Sequence, residues 1–190
     1  MNNGTKVFIA GSRRLSKLGK DVKLRIDNII DKELTVLIGD ANGVDKTVQK
    51  YLNIKHYNNV IIFCMEGGCR NNLGNWPTQV IAASDPNRRD FAYFSTKDRA
   101  MAEEADYGLM LWDGQSRGTL TSIVDLVRKD KVVVVYIATD KNFYTLRQST
   151  DLATLLRRVD PSALQRIDRD LPLPETDGPS GRKGNSMSLF

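Results

Sequence analysis

Five short, continuously apolar segments recur along the first 140 residues, and they constrain the fold more than any other feature of the chain. They are residues 5–11, 34–39, 59–64, 107–112 and 131–137. None alternates apolar with polar residues, so both faces of each predicted strand should be covered. Helical patterns lie between most of them, at 16–31, 43–54, 96–106 and 119–129. The alternation predicts an α/β fold, a doubly wound and mainly parallel five-stranded sheet with helices on both faces.

Two regions depart from this alternation. Residues 65–95 contain several glycines and prolines without a clear period, which is typical of a functional excursion such as a lid, or of an insertion. After residue 140 the pattern changes to a helix at 149–159 and then to a segment rich in Pro, Gly and Ser. We therefore expect a sheet domain at 1–140, a helical appendage at 141–170 and a tail at 171–190.

The composition restricts the function classes. The net charge of +5 and the pI near 9.2 favour an anionic partner without identifying it, and a solvated basic face explains the charge equally well. Cys64, Cys69 and the single His56 match no common zinc spacing, so no metal is expected and Cys64 is interpreted as a buried thiol. No apolar stretch approaches the roughly 20 residues of a membrane span, and no secretory signal is recognisable, so a cytoplasmic location without membrane attachment is expected.

Glycine-bearing turns follow three of the predicted strands. Carboxyl ends of parallel strands share one edge of a sheet, where ligands of open α/β folds bind. A helix N-terminus attracts anions there, and glycine lets a phosphate approach the backbone. Each turn alone would most often only reverse the chain, but three on one edge predict a pocket. The candidate ligand-binding residues are Gly11, Ser12, Arg13, Gly39, Asp40, Ala41, Gly43, Asp45, Asp113, Gly114, Ser116, Gly118 and Thr119.

The side chains of these turns suit a phosphorylated nucleoside. Arginine forms charge-assisted forks to phosphate, hydroxyls donate hydrogen bonds, and carboxylates accept them from ribose or base. Simpler interpretations remain, since Ser12 and Thr119 are also good helix caps and Asp45 suits the first turn of a helix. The candidate lid residues are Trp76, Arg88, Arg89 and, from the following helix, Arg99, although Trp76 equally suits packing under a long loop.

Three segments also carry a resemblance to a known family. "GSRRLSKLG", "LIGDANGVDKTVQKYL" and "WDGQSRGTLTSIVDLVRKDKVVVVY" resemble the SLOG superfamily of Rossmann-like nucleotide-binding domains, which includes DNA-processing protein A (DprA), the Lonely Guy (LOG) proteins and the YspA-like proteins. The likeness spans residues 5–137 and is greatest for the YspA-like branch. It implies a Rossmann-like fold with a nucleotide ligand at the glycine-rich edge. No cofactor is expected.

One position departs from the hydrolases of that superfamily. LOG proteins carry a glutamate shortly after their glycine-rich turn, whereas this chain has Ser122 there. N-glycosidic cleavage passes through a cationic sugar that a carboxylate stabilises, and serine does this poorly. The first hypothesis is therefore a nucleotide-binding, sensor-like protein. The alternatives are an N-glycosidase using Asp113 or Asp40, and DprA-like binding of single-stranded DNA. A homodimer is also expected to be possible.

Overall fold

The protein is described here as a computed structural model that covers residues 4–82, 90–162 and 164. These residues form seven strands and five helices. In chain order they are β1 (Lys6–Gly11), α1 (Lys20–Asp31), β2 (Thr35–Gly39), α2 (Val44–Ile54), β3 (Val60–Met65), β4 (Thr78–Ile81), α3 (Phe91–Glu104), β5 (Tyr107–Trp112), α4 (Arg117–Arg128), β6 (Val132–Ile137), β7 (Asn142–Leu146) and α5 (Ser149–Leu156).

All seven strands form one sheet in the order β4-β3-β2-β1-β5-β6-β7. Every neighbouring pair is parallel except β6 and β7, which are antiparallel. The chain winds outward from β1 to β4 and then returns to pair β5 on the other side of β1. This arrangement confirms the predicted doubly wound, mainly parallel sheet. It also places the topological switch point between β1 and β5, where open α/β sheets form a crevice.

The sheet has two more strands than the sequence predicted. Strand β4 lies within the 65–95 excursion and has only four residues, two of them exposed at the sheet edge. Strand β7 lies at the opposite edge and contains several partly exposed polar residues. Neither shows the continuous apolar run of a strand covered on both faces, so the criterion that found the five inner strands missed both edges. Residues 142–146 were expected to belong to a helical appendage, but they form a strand of the sheet. The helix predicted at 149–159 is present as α5, which ends at Leu156.

Two apolar clusters cover the two faces of the sheet. Successive residues of a strand point to opposite faces, and in β1 Val7 and Ile9 belong to one cluster whereas Phe8 belongs to the other. Helices α1 and α2 bury their apolar stripes in the first cluster, and α3, α4 and α5 in the second. This double coverage is the physical reason for the continuous apolar runs in the inner strands.

The 65–95 segment packs against this framework where it is described. Trp76 is only 5% exposed, its Nε1–H donates to the carbonyl of Tyr57 at 2.8 Å, and it belongs to the α1–α2 cluster. Trp76 is therefore a core residue, and its interpretation as a lid residue was wrong. The interpretation of Cys64 as a buried thiol was also wrong, because it forms a disulfide with Cys69, with a Cα–Cα distance of 5.1 Å. Among the described residues, no helix is both long and apolar enough to cross a membrane.

Candidate functional site at the carboxyl edge of the sheet

A cavity of about 480 Å³ opens at the switch point, where β1 and β5 end. Residues from four parts of the chain surround it: the turn after β1, the turn before α2, the first two turns of α3 and the turn that leads into α4. The lining residues are Ala10, Gly11, Ser12, Arg13, Arg14, Ala41, Asp45, Asp90, Phe91, Phe94, Ser95, Lys97, Asp98, Asp113, Gln115, Ser116, Arg117, Gly118, Thr119 and Ser122.

Asp113 organises the turn that enters α4. Its Oδ1 accepts hydrogen bonds from the backbone N–H groups of Gln115 at 3.0 Å and Ser116 at 2.7 Å, and its Oδ2 accepts one from Ser12 Oγ at 2.6 Å. Burial disfavours the charged form of this carboxyl, but these hydrogen bonds outweigh burial and lower its pKa. Asp113 is therefore an ionised carboxylate that joins the β1 turn to the α4 turn.

The N-terminus of α4 is exposed to the cavity. The first intrahelical hydrogen bond runs from Leu120 N to Ser116 O at 3.2 Å, and the N-cap residue Ser116 makes no side-chain capping bond. The N–H groups of the first helical turn thus take no part in the helical ladder and lie beside the cavity with the positive end of the helix dipole. A Cβ added at Gly118 would meet only Phe91, at 3.9 Å, so this glycine leaves the approach to the backbone open.

Three arginines lie against the rings of two phenylalanines of the lining, and these five residues are called the rim: Arg13, Arg70, Arg117, Phe91 and Phe94. The guanidinium of Arg117 lies 4.1 Å from the ring centroid of Phe91. Arg13 and Arg70 lie 5.5 Å and 5.0 Å from the ring of Phe94. These distances place the guanidinium groups within cation–π range of the rings, so the rim combines positive charge with aromatic surface. Arg14, which also lines the cavity, donates from Nη1 to Gln115 Oε1 at 2.9 Å.

The turn before α2 is closed by the protein itself. Val44 N donates to Ser12 O at 3.2 Å, and Ala41 N donates to Asp45 Oδ2 at 3.1 Å. Gly43 has φ +83°, a region that favours glycine, and a Cβ there would lie 2.4 Å from Arg13 Cα. The glycine therefore allows the two turns to pack backbone against backbone.

Asp40, at the end of β2, is held by an arginine from the loop after β3. Arg70 donates to it through Nη2 at 2.6 Å, through Nε at 3.0 Å and through its backbone N–H at 3.0 Å. Burial tends to raise the pKa of Asp40, but the hydrogen bonds and the charge of Arg70 prevail and lower it. Both carboxylate oxygens are engaged with Arg70, and Asp40 does not line the cavity.

Three ionisable side chains of α2 and α3 also line the cavity: Asp45, Lys97 and Asp98. Lys97, which is 3% exposed, donates from Nζ to Asp98 Oδ1 at 2.8 Å. Its burial acts to lower its pKa, but the charges of Asp98 and Asp45 reverse this and raise it. Burial raises the pKa of Asp45 to about 6, although Lys97 acts in the opposite direction. A Cβ at Gly39 would lie 2.5 Å from Asp45 Oδ2 and 2.7 Å from Lys97 Nζ, so glycine at this position makes room for both groups.

The candidate residues from the three turns separate into two groups. The structure brings nine of them together around the cavity: Gly11, Ser12, Arg13, Ala41, Asp45, Asp113, Ser116, Gly118 and Thr119. Gly39, Asp40, Gly43 and Gly114 lie behind the lining and shape the turns. Arg99, expected in the pocket, is an exposed residue of α3 outside the lining, and Arg88 and Arg89 lie outside the described residues.

Sequence reasoning missed part of the α3 wall. It placed the N-terminus of this helix at residue 96, whereas α3 begins at Phe91 and Asp90 is its N-cap, accepting from Tyr93 N at 3.1 Å. With the correct start, Phe91, Phe94 and Asp98 fall at three- and four-residue spacing on one side of the helix, which faces the cavity. The capping aspartate before an aromatic-rich segment was the signal that would have found them.

The sequence matches no protein-family model and no curated protein. Solved structures do resemble the fold. DNA-processing protein A from Helicobacter pylori, which binds single-stranded DNA, aligns with a TM-score of 0.53 at 16% identity over 70% of this chain and 65% of its own. DprA from Streptococcus pneumoniae aligns with a TM-score of 0.55 at 14% identity over 86% of this chain and 61% of its own. This chain thus spans less than two thirds of the length of either protein. At such identities the likeness establishes the architecture: the chain has a DprA-like Rossmann fold.

Proposed function

We propose that the cavity binds a phosphorylated nucleoside and that the protein is a nucleotide-binding, sensor-like protein. The observation that carries the proposal is the N-terminus of α4, which faces the cavity without a side-chain cap and has Arg13 and Arg14 nearby. Backbone N–H groups, a helix dipole and guanidinium groups together favour a phosphate over a neutral ligand. The cytoplasmic location expected from the sequence belongs to the same proposal.

The rest of the cavity supports a nucleoside attached to that phosphate. Its volume of about 480 Å³ lies within the range of roughly 300–1,000 Å³ that is usual for small-molecule sites. The carboxylates of Asp45 and Asp98 lie on the wall formed by α2 and α3, where they can accept hydrogen bonds from ribose or base. A lone phosphate or sulfate would leave this acidic wall unused.

Binding is favoured over N-glycosidic hydrolysis by the state of the two carboxylates that the sequence suggested for catalysis. Both oxygens of Asp113 accept hydrogen bonds within the α4 and β1 turns, and both oxygens of Asp40 are held by Arg70. Ser122, at the position of the hydrolase glutamate, donates from Oγ to the carbonyl of Gly118 at 3.1 Å. None of these three groups is poised to stabilise or capture a cationic sugar.

Calorimetric titration with nucleoside monophosphates, cyclic nucleotides and ADP-ribose tests the proposal. We expect at least one phosphorylated nucleoside to bind more tightly than both its unphosphorylated nucleoside and inorganic phosphate, because only the nucleotide uses both walls. Arg13→Gln should weaken this binding, whereas Arg25→Gln, on α1 outside the lining, should not. Equal binding of nucleotide and inorganic phosphate would refute the proposal.

Single-stranded DNA is the second candidate ligand, and the rim favours it. Arginines next to phenylalanines suit a strand whose phosphates contact cations and whose bases stack on rings. The Helicobacter pylori protein of the same fold binds single-stranded DNA. Fluorescence anisotropy with a labelled oligonucleotide at two salt concentrations tests this candidate. Binding that weakens steeply with salt and is lost in Phe94→Ala would support it, and no binding at the lower salt would exclude it.

A further inference from the structure

The disulfide between Cys64 and Cys69 joins the core to a solvent-exposed loop. Cys64, near the end of β3, is fully buried in the α1–α2 cluster, whereas Cys69 is only partly buried. The loop between them turns through Gly67 and Gly68, which are both exposed and both have a positive φ. A Cβ added at Gly68 would meet no atom within 4 Å. A reductant can therefore approach the disulfide from the side of Cys69.

The residues that follow the disulfide hold the end of β2. Arg70 donates to the carboxylate of Asp40 both through its backbone N–H and through its guanidinium. Asn71, which is buried, donates from Nδ2 to the carbonyl of Asp40 at 2.8 Å. The disulfide fixes the chain directly before the donating N–H of Arg70, so the geometry of these hydrogen bonds depends on the position of Cys69.

The disulfide loop also contacts α3, the helix whose first turns line the cavity. Tyr93 OH donates to the carbonyl of Glu66, inside the loop, at 3.2 Å. The guanidinium of Arg70 lies 5.0 Å from the ring centroid of Phe94, and Arg13 lies 5.5 Å from the same ring. Release of Arg70 would leave the ring of Phe94, which lines the cavity, with only one of its two guanidinium contacts.

We propose that the Cys64–Cys69 disulfide is a redox switch for the cavity: oxidised, it holds Arg70 against Asp40 and Phe94, and reduced, it releases residues 69–71. The cytoplasmic location expected from the sequence agrees with this role, because disulfides of cytosolic proteins are mostly transient and either catalytic or redox-sensing. The effect on a bound nucleotide rests on the proposed function. The release of Arg70 does not.

The reductant is a dithiol, such as a protein with a reduced Cys-x-x-Cys pair. One of its thiolates attacks Cys69 Sγ, the S–S bond breaks, and Cys64 leaves as a thiolate that takes up a proton. The second thiolate of the dithiol then displaces Cys69 Sγ, which is protonated in turn. Two electrons and two protons thus pass from the dithiol, which becomes a disulfide, to the two cysteines.

NMR spectra of the ligand-free full chain with and without dithiothreitol test the release. Reduction should shift the backbone amides of Arg70 and Asn71 and the ring protons of Phe94, and Cys69→Ser should show the same shifts without reductant. The ring of Phe143 is the internal control, because it lies 4.8 Å from the guanidinium of Arg25 in α1, a similar contact that involves no residue of the disulfide loop. Its signals should not move.

Calorimetric titration with AMP, GMP, CMP and UMP, under oxidising and reducing conditions, tests the effect on the cavity. Reduction should weaken the tightest of these four about 2- to 5-fold, the effect of losing one partly exposed cation–π contact. In Arg70→Gln the affinity should already be lower, and the reductant should no longer change it. Arg25→Gln, which removes the matched contact on Phe143, should keep the redox response of the wild type.

The outcomes separate this inference from the proposed function. Unchanged signals of Arg70, Asn71 and Phe94 on reduction would overturn the switch, and so would loss of the folded spectrum, which would make the disulfide purely structural. A nucleotide that binds equally well in both redox states would overturn it as well. If none of the four nucleotides binds more tightly than inorganic phosphate, the proposed function fails, and the NMR comparison alone decides whether the disulfide controls Arg70.

Discussion

Two glycine-bearing turns border the same cavity, and they are used in different ways. The turn at 39–45 is closed: the N–H groups of Val44 and Lys46 bond to the protein, its glycines make room for neighbouring atoms, and Arg70 holds Asp40. The turn at 113–119 is open, because its helix N-terminus faces the cavity without a side-chain cap. A glycine-rich turn before a helix is therefore an anion site only where the chain leaves the helix N-terminus available.

Gly43→Ala should have the largest effect, on folding. The new Cβ would meet the backbone of Arg13 at 2.4 Å, and φ +83° with ψ −126° is a backbone conformation that alanine rarely adopts. We expect a loss of unfolding free energy of at least about 3 kcal/mol, from strain together with displaced backbone. Urea denaturation followed by circular dichroism measures it. A loss within experimental error would show that the closed turn is not held as tightly as the contacts indicate.

Asp45→Asn should change stability in a pH-dependent way. The folded-state pKa of Asp45, about 6, is above the ordinary value of 3.8 for an aspartate, so the folded protein gains stability as the pH falls through 6. At pH 7 and above, the ionised carboxylate lowers the free energy of unfolding by up to about 3 kcal/mol, because each unit of difference between the folded and unfolded pKa corresponds to about 1.36 kcal/mol. Asparagine retains an acceptor for Ala41 N without the charge.

The variant should therefore be more stable than the wild type at pH 7.5, and the advantage should vanish towards pH 4. The difference between the two proteins isolates Asp45 from other titrating groups, including Asp125, whose pKa burial also raises. Thermal unfolding of both proteins at several pH values measures the difference. A pH-independent difference, or a variant less stable throughout, would contradict the account of the buried carboxylate.

Cys69→Ser tests how much the disulfide next to Arg70 stabilises the protein. The disulfide with Cys64 closes a short loop that ends next to Arg70, the partner of Asp40. We expect a loss of about 2 kcal/mol in unfolding free energy under oxidising conditions, the order given by loop closure over such a length. Under reducing conditions the variant and the wild type should have nearly equal stability. The same difference with and without reductant would mean that the bond does not form in solution.

Gly118→Ala should have the smallest effect on folding and a measurable one on binding. The added methyl meets only Phe91 at 3.9 Å, and alanine improves helix propensity, so stability should stay constant or rise by up to about 1 kcal/mol. Affinity for the best nucleotide should fall about tenfold, equivalent to about 1.4 kcal/mol, because the methyl hinders the phosphate. Unchanged affinity would place the phosphate elsewhere. Together with Gly43→Ala, this variant separates a structural glycine from one that serves the ligand.

The inner part of the fold could be predicted from the sequence because its physical cause is strong. Strands covered on both faces must be continuously apolar, and β1, β2, β3, β5 and β6 are. Edge strands are not under that requirement, so β4 and β7 carry exposed residues and are ambiguous in sequence. The alternation of strands and helices was enough to predict a doubly wound, mainly parallel sheet, but the strand order is known only from the structure.

The candidate site was partly predictable for a similar reason. Residues at strand ends follow from topology, so the convergence of Ser12, Asp45 and Asp113 could be anticipated. Contacts between residues far apart in sequence could not be anticipated in this way. Arg70 pairs with Asp40 from thirty residues away, and Trp76 packs into the core from a segment without periodicity. Whether a helix N-terminus is used internally or left open also depends on such contacts, which is why all three turns looked alike in the sequence.

The most direct test of the open α4 turn as the phosphate site is an NMR titration of backbone amides with the tightest-binding nucleotide. The account predicts the largest amide proton shifts at Gly118 and Thr119, moving downfield as new hydrogen bonds form. The amides of Val44 and Lys46 in the closed turn should move little, because they already donate within the protein. The largest shifts at the closed turn, or saturable binding without movement at Gly118 and Thr119, would contradict it.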